Sequence, residues 1–339
     1  LTYPGVHLAP STTDALTARL IAEAGFEIAY MGGNATTASY LGVPDVGLIT
    51  LTEMANQAAR ICDAASLPLI VDADTGYGNA LNVQRAVKAF ENAGAAALHL
   101  EDQTYPKRCG HFAGKQLVPV EEMIGKIKSA LDSRNNKSLL IIARTDAIAV
   151  DGFEAAYERL DRYKETGADI VMFGPPCKKE HLNTASQLKI PMACVIDTTG
   201  NTPISADGLD NYGVRIGLLP TVVPMSVIFN VRKSLESILA TKGLETIKDN
   251  LASFEEYNSV LGLSDIKDLE DRYSVEPECD AKSNLMMSIK SPKICLATLT
   301  CGHLFGNCTI MAVAAIATNL KTELEISAEN YGWLIAIYM

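Results

Sequence analysis

Short apolar runs alternate along this chain with stretches whose apolar residues return every three or four positions. The runs occupy residues 6–9, 28–31, 69–71, 97–100, 139–142, 170–173, 192–196 and 214–219. Runs such as Leu139-Leu140-Ile141-Ile142 and Ile170-Val171-Met172-Phe173 are apolar at every position rather than at every second one, which predicts strands buried on both faces, as in a parallel sheet. The helical period occupies residues 14–24, 51–65, 80–93, 120–131, 152–166 and 224–241. Gly25, Gly94 and Gly167 stand where three of these helices end shortly before the next strand, the position at which a left-handed residue closes a helix. Eight strands, most followed by a helix, match the count of an α/β fold closed as a (β/α)8 TIM-type barrel, expected over residues 1–242. A doubly wound open sheet is the rival architecture, and the count and even spacing favour the barrel.

A barrel of this kind carries its active site on the rim at the C-terminal ends of the strands. Polar residues fall there: Asp72 and Asp74 end the third run, Glu101 and Asp102 the fourth, Arg144 and Asp146 follow the fifth, and Asp45 lies in the loop after the second. Any one of these could be a helix N-cap or a solvated loop carboxylate. Several on successive strand ends are expected to converge on one rim. Carboxylates without histidine or thiolate partners are hard oxygen ligands suited to Mg²⁺ or Mn²⁺.

The loop after the fourth run reads Lys107-Arg108-Cys109-Gly110-His111. A thiol between cationic neighbours is expected to have its pKa drawn toward neutrality and to exchange protons at physiological pH. The alternative is a buried structural cysteine in a surface loop.

Composition changes this picture little. The 339 residues are ample for a large barrel, and a net charge of -11 argues against a nucleic-acid partner. The eight cysteines show neither disulfide-framework nor zinc spacing, which fits a reducing compartment, cytoplasmic or mitochondrial. Leu1-Thr2-Tyr3-Pro4 begins no visible secretory signal. Residues 294–320 lack charged side chains and read as a marginal membrane span, with residues 276–293 as a linker. The segment from Asn319 through Trp333 resembles the loop after the first span of a major facilitator transporter, which raises a fused gene boundary as one origin of the tail; an extra helix packed on the barrel is the other reading.

Four motifs, Val71-Asp72-Ala73-Asp74-Thr75-Gly76-Tyr77-Gly78, His99-Leu100-Glu101-Asp102-Gln103, Lys107-Arg108-Cys109-Gly110-His111 and Ala143-Arg144-Thr145-Asp146-Ala147, together resemble the isocitrate lyase/phosphoenolpyruvate mutase superfamily, in order and over about residues 3–275. The lyase branch, with 2-methylisocitrate lyase, dimethylmalate lyase and oxaloacetate hydrolase, is the closer match; the phosphonomutases lack the catalytic cysteine. The resemblance implies carbon–carbon cleavage beside a 2-oxo acid through an enolate. It implies a divalent ion held by Asp72, Asp74 and Glu101, with Cys109 as the acid that protonates the enolate carbon. Lys107 and His111 would tune the thiol, and Arg144 would clamp a carboxylate or oxyanion. Tyr30, Gly32, Gly33, Asp45 and Gly110 would shape the substrate pocket, and residues 103–119 would form a lid. Residues 243–275 resemble helices exchanged between subunits of a homotetramer. A barrel that only binds a carboxylate metabolite is the non-enzymatic alternative.

Three positions depart from the family pattern. Met31-Gly32-Gly33-Asn34 replaces a Ser-Gly-Gly-like turn, Phe173-Gly174-Pro175-Pro176-Cys177 lacks the usual glutamate, and Val195 stands where an asparagine is usual. The last two changes predict a less polar, bulkier second carboxylate or acyl group in the substrate.

Overall fold

The computed structural model describes residues 5–274, and residues through Arg272 form one compact unit. The linker and the apolar tail read from the sequence lie outside the described residues. Eight parallel strands are present: β1 (His7–Pro10), β2 (Ala29–Met31), β3 (Leu69–Asp72), β4 (Ala97–Glu101), β5 (Leu140–Thr145), β6 (Ile170–Phe173), β7 (Met192–Val195) and β8 (Val214–Leu219). They pair in the order β1-β8-β7-β6-β5-β4-β3-β2. A parallel bridge from Ser11 to Tyr30 joins the two ends, so the sheet curls into the expected barrel.

The helices are α1 (Ala15–Glu23), α2 (Gly33–Leu41), α3 (Leu51–Ala64), α4 (Ala80–Asn92), α5 (Val120–Ser133), α6 (Phe153–Lys164), α7 (Lys179–Ala185), α8 (Val222–Thr241), α9 (Phe254–Val260) and α10 (Leu263–Tyr273). The sequence periodicity misses α2, α7, α9 and α10, the last two being indicated only by the family resemblance. Helix α2 is short and nearly uniform in polarity around its circumference, Gly-Asn-Ala-Thr-Thr-Ala-Ser-Tyr-Leu, so it has no apolar stripe to detect. Gly25, Gly94 and Gly167 adopt φ of 85°, 92° and 90°, the left-handed conformation expected of helix ends.

Alternation along the strands sorts side chains into two layers. One cluster fills the barrel: Ala9, Tyr30, Ile70, Ala97, Ile142 and Ile170, with Met172, Ala193, Val195, Ile216 and Leu218 toward its other side. The second and larger cluster lies between sheet and helices, with Val71, Leu98, Leu100, Ile141, Val171 and Phe173 from the strands meeting Met54, Phe90, Met123, Ile127 and Leu160 from the helices. Both faces of the strands are therefore buried, which is why their sequences read as unbroken apolar runs. Helix α8 is the exception among the long helices. None of its residues is buried, and Phe229 and Leu239 are 69% and 79% exposed. No helix among the described residues is long and apolar enough to cross a membrane.

Candidate active site

Inward parity places Asp72 on β3, His99 and Glu101 on β4 and Arg144 on β5 at the C-terminal end of the barrel. Register sets Asp72 beside His99, Glu101 beside Arg144, and Arg144 beside Met172. Arg144 Nη1 lies 3.2 Å from Glu101 Oε2, and Nη2 donates to Asp146 Oδ1 at 3.0 Å. Tyr30, inward from β2, has its hydroxyl 2.8 Å from His99 Nε2. Burial lowers the His99 pKa to about 4, so the ring is neutral and sets the orientation of Tyr30 rather than adding charge.

The chain turns sharply after β3. Asp74 has φ of 47°, and its N–H donates to Asp72 Oδ1 at 3.0 Å, which folds the second carboxylate back over the barrel mouth. Gly33, at the start of α2, donates its N–H to Asp72 Oδ2 at 3.0 Å. A Cβ on Gly33 would meet Asp74 Oδ1, Lys107 Nζ and Asp72 Oδ2 at 3.0–3.1 Å, and one on Gly32 would lie 2.8 Å from the Tyr30 ring. These glycines let the backbone approach the carboxylates closely.

Lys107 reaches into the same cluster, with Nζ 2.7 Å from Asp45 Oδ2 and 2.8 Å from Asp74 Oδ1. Burial opposes its charge, but Asp74, Glu101, Asp72 and Asp45 hold its pKa well above the ordinary value. Lys107 is therefore a fixed cation among the carboxylates. Even so, Asp74 Oδ2, Glu101 Oε1 and Asp45 Oδ1 are buried without a hydrogen-bond partner. Buried carboxylate oxygens are normally satisfied, and these orphaned atoms fit ligation by a hard cation or its water shell. Among the described residues no three Asp, Glu, His or Cys side chains are grouped closely enough to hold one ion directly. The donor set fits an ion that keeps several waters.

The loop between β4 and α5 lies folded over this rim. The Cys109 N–H donates to Asp45 O at 3.1 Å, Tyr105 Oη donates to Gly47 O at 3.1 Å, and Gln103 pairs with Leu117 across the loop base. Lys115, which the sequence motifs did not single out, donates from Nζ to the carbonyls of Gly110 and Pro175. Gly110 sits so close to Arg144 that a Cβ there would lie 2.7 Å from Nη2. The loop thus brings Cys109, Gly110 and His111 to one cavity with Tyr30, Asp45, Asp72, Glu101, Lys107 and Arg144.

Three expectations are revised by this geometry. Burial raises the Cys109 pKa, outweighing the His111 backbone N–H that favours the thiolate; Lys107 and Arg144 act more weakly still. The thiol is therefore protonated at neutral pH, not poised as a thiolate. No side-chain hydrogen bond joins His111 to the sulfur among the described residues; its Nε2 lies 3.2 Å from Asp197 Oδ2 instead. The side chain that does reach the sulfur is Asn34, whose Nδ2 lies 3.4 Å from Sγ. Finally, Asp102 does not join the rim. It points outward between sheet and helices, accepting from Thr145 Oγ1 at 2.7 Å, Tyr163 Oη at 2.9 Å, Asp146 N at 3.0 Å and Arg159 Nη1 at 3.1 Å. Strand alternation, applied to Glu101 and Asp102, carries this distinction.

Known proteins show the same arrangement of chain. A family model described as phosphoenolpyruvate phosphomutase matches residues 2–239. The chain is 41% identical over 274 residues to 2,3-dimethylmalate lyase of Eubacterium barkeri, covering 79% of this chain and 93% of that one. The solved structure of oxaloacetate acetylhydrolase with the inhibitor 3,3-difluorooxalacetate matches with a TM-score of 0.75 at 30% identity, covering 80% of this chain and 94% of that one. Phosphonopyruvate hydrolase in complex with oxalate and Mg++ matches with a TM-score of 0.72 at 30% identity, covering 79% and 94%.

Proposed function

The chain belongs to the phosphoenolpyruvate mutase/isocitrate lyase superfamily and is a carbon–carbon lyase, and we propose that it cleaves a 2-hydroxy di- or tricarboxylate of the dimethylmalate or 2-methylisocitrate kind. The products are a 2-oxo acid and a second carboxylate. The observation that carries this reading is the convergence of a protonated thiol, a buried guanidinium and partnerless carboxylate oxygens on one cavity.

Arg144 holds the carboxylate of the 2-oxo acid end, or the oxyanion that develops beside it, with its planar fork. Asp72, Asp74 and Glu101 would hold Mg²⁺, or Mn²⁺, through orphaned oxygens and bridging waters, while Asp45 and Lys107 keep the cluster near charge balance. When bound, the ion supplies positive charge to the oxygens of the reacting end. Cleavage leaves an electron pair on the carbon of the departing fragment, and Cys109 gives its proton to that carbon. A thiol kept neutral by burial suits this task, because it arrives at the reaction with its proton in place. Asn34 and the His111 N–H then stabilise the thiolate that remains. The folded loop over residues 103–119 shields the cavity, so that charge develops among fixed protein groups rather than in bulk water.

The β6–β8 side favours a second reading within the same chemistry. Met172, Pro175, Val195 and Pro220 give the cavity an apolar wall in place of a receptor for a distant carboxylate. Such a wall has no use for a third carboxylate, and hydrolysis of oxaloacetate to oxalate and acetate, the reaction suggested by the similarity to oxaloacetate acetylhydrolase, is the corresponding reading, at odds with the bulkier group expected from the sequence. By resemblance, the apolar faces of α8 to α10, including Phe229, Phe254 and Leu239, would be covered by helix exchange in a homotetramer.

Release of 2-oxo acid from dimethylmalate and methylisocitrate, and of oxalate from oxaloacetate, is to be measured with Mg²⁺ and with chelator, for the wild type and Cys109→Ser. Mg²⁺-dependent turnover lost on substitution establishes the lyase and its substrate. Preference for the tricarboxylate contradicts the apolar wall as the specificity element, and turnover unaffected by chelator contradicts the metal assignment.

A further inference from the structure

Gln103 is the first residue of the lid loop, and its backbone lies in the closed base of that loop. The Val118 N–H donates to Asp102 O at 2.9 Å and the Thr104 N–H to Gln116 O at 2.8 Å, so the two ends of the loop are zipped together on either side of Gln103. From this fixed base its side chain, in a residue only 1% exposed, reaches the backbone of Arg108. Oε1 accepts the Arg108 N–H at 3.0 Å, while Nε2 donates to Arg108 O at 2.9 Å and to Asp146 Oδ2 at 3.3 Å. A backbone N–H only donates, so the Arg108 amide settles which end of the Gln103 amide is oxygen. Both hydrogens of the NH2 then have acceptors.

This one amide joins two parts of the site that come from distant segments. On one side, Asp146 Oδ1 accepts from Arg144 Nη2 at 3.0 Å, so the carboxylate that orients the guanidinium is also the one that holds Gln103. On the other side, Arg108 immediately precedes Cys109, whose own N–H donates to Asp45 O at 3.1 Å and whose carbonyl accepts the Phe112 N–H at 2.8 Å. Just beyond the thiol, Gly110 O accepts from Lys115 Nζ. The backbone is therefore tied on both sides of Cys109. Lys115 Nζ stands 3.6 Å from Asp146 Oδ1, too far for a hydrogen bond, which leaves Gln103 as the hydrogen-bonded link from the thiol loop to Arg144 through Asp146.

We infer that Gln103 is a positioning residue that sets the acid, Cys109, in register with the clamp, Arg144, by hydrogen-bonding the lid backbone at Arg108 to Asp146. This deepens the lyase reading and rests on it. The clamp fixes one end of the substrate, and the carbon that takes the proton lies at a set distance from that end. The thiol has to meet it there, and a misplacement of about 1 Å costs on the order of 100-fold in rate.

The test uses Gln103→Met, which keeps the length of the side chain and removes its donors and its acceptor. Alkylation of Cys109 by iodoacetamide, read by peptide mass spectrometry without substrate, should run at least about tenfold faster in the variant, because a released loop uncovers the thiol. Cys177 and Cys194, buried in the core, are internal controls that stay unlabelled while the fold is intact. With the substrate that the wild type cleaves, kcat should fall at least about 30-fold and KM change by less than about threefold. Unchanged alkylation of Cys109, or kcat within about threefold of the wild type, overturns the inference. If the core cysteines of the variant label as well, it has unfolded, and the wild type decides by amide hydrogen exchange. The Arg108 amide should then exchange at least about 100-fold more slowly than an unstructured chain, and exchange at the unstructured rate overturns the inference. Alkylation and exchange need no turnover, so a chain that passes both and cleaves no candidate substrate refutes the lyase reading and leaves the link between lid and clamp in place.

Discussion

The two halves of the barrel rim make opposite use of the same positions. Across β3 to β5 the inward side chains nearest the rim are Asp72, Glu101 and Arg144; Arg144 pairs with Glu101, and Asp72 is held by the N–H groups of Gly33 and Asp74. Across β6 to β8 the inward positions are Met172, Val195 and Leu218. Arg144 and Met172 are direct neighbours in register, so the boundary between the halves runs through one pair of residues. Charged groups buried this densely cost folding free energy, and their retention on one half marks where charge develops during reaction. The apolar half costs nothing of that kind and can vary with the group it receives. On the function proposed here, the charged side would carry the reaction class and the apolar side the substrate choice.

The largest expected effect lies on the charged side. Cys109→Ser removes the proton donor while keeping size and polarity, and kcat is expected to fall roughly 10³-fold with substrate binding retained, as separated by single-turnover kinetics and calorimetry. A fall below tenfold would assign the proton to another group.

Glu101 and Asp102 divide the two layers at one peptide bond, and their neighbours predict different failures. Asp102→Ala leaves Arg159, Thr145 and Tyr163 without their shared acceptor, so stability should drop by about 3 kcal/mol. That corresponds to a Tm lower by about 5 °C in thermal unfolding. Residual activity at low temperature should stay near the wild-type value, whereas an immediate loss of kcat would place Asp102 in the chemistry.

On the apolar side, Val195→Asn adds a hydrogen-bonding group to the wall. It is expected to shift the ratio of kcat/KM toward the substrate with the more polar distal end by about tenfold. An unchanged ratio would remove this wall from the account of specificity.

The smallest effect concerns pH. Burial raises the Cys109 pKa, and the acid is active only in its protonated form, so activity should be full below the folded pKa and lost as pH rises through it. The alkaline limb of the kcat profile should therefore lie above the ordinary thiol value of about 8.5. A limb near pH 7 that disappears in Cys109→Ser would restore the thiolate expected from the flanking cations.

Much of this was legible in the chain. Unbroken apolar runs specify doubly buried parallel strands, and the residues at their ends fall on one rim because every strand points the same way. Legibility stops where tertiary contacts decide. Lys107 and Arg108 look like activators of Cys109, yet Lys107 is drawn off by Asp45 and Asp74, and burial then governs the thiol. Lys115 carries no motif; it matters because the lid loop folds onto the turn after β6, a contact between distant segments. Asp102 could have been separated from Glu101 by parity alone, a signal present in the sequence but masked by reading the pair as one motif.

The most direct test of the central claim is exchange of hydrogen at carbon. Incubated in D2O with Mg²⁺ and a 2-oxo acid analogue, the wild type should exchange an α-hydrogen of the second carboxylate product with solvent, and Cys109→Ser should not, as read by mass spectrometry. Exchange that persists in Cys109→Ser at the wild-type rate would contradict the assignment of Cys109 as the group that protonates the departing carbon.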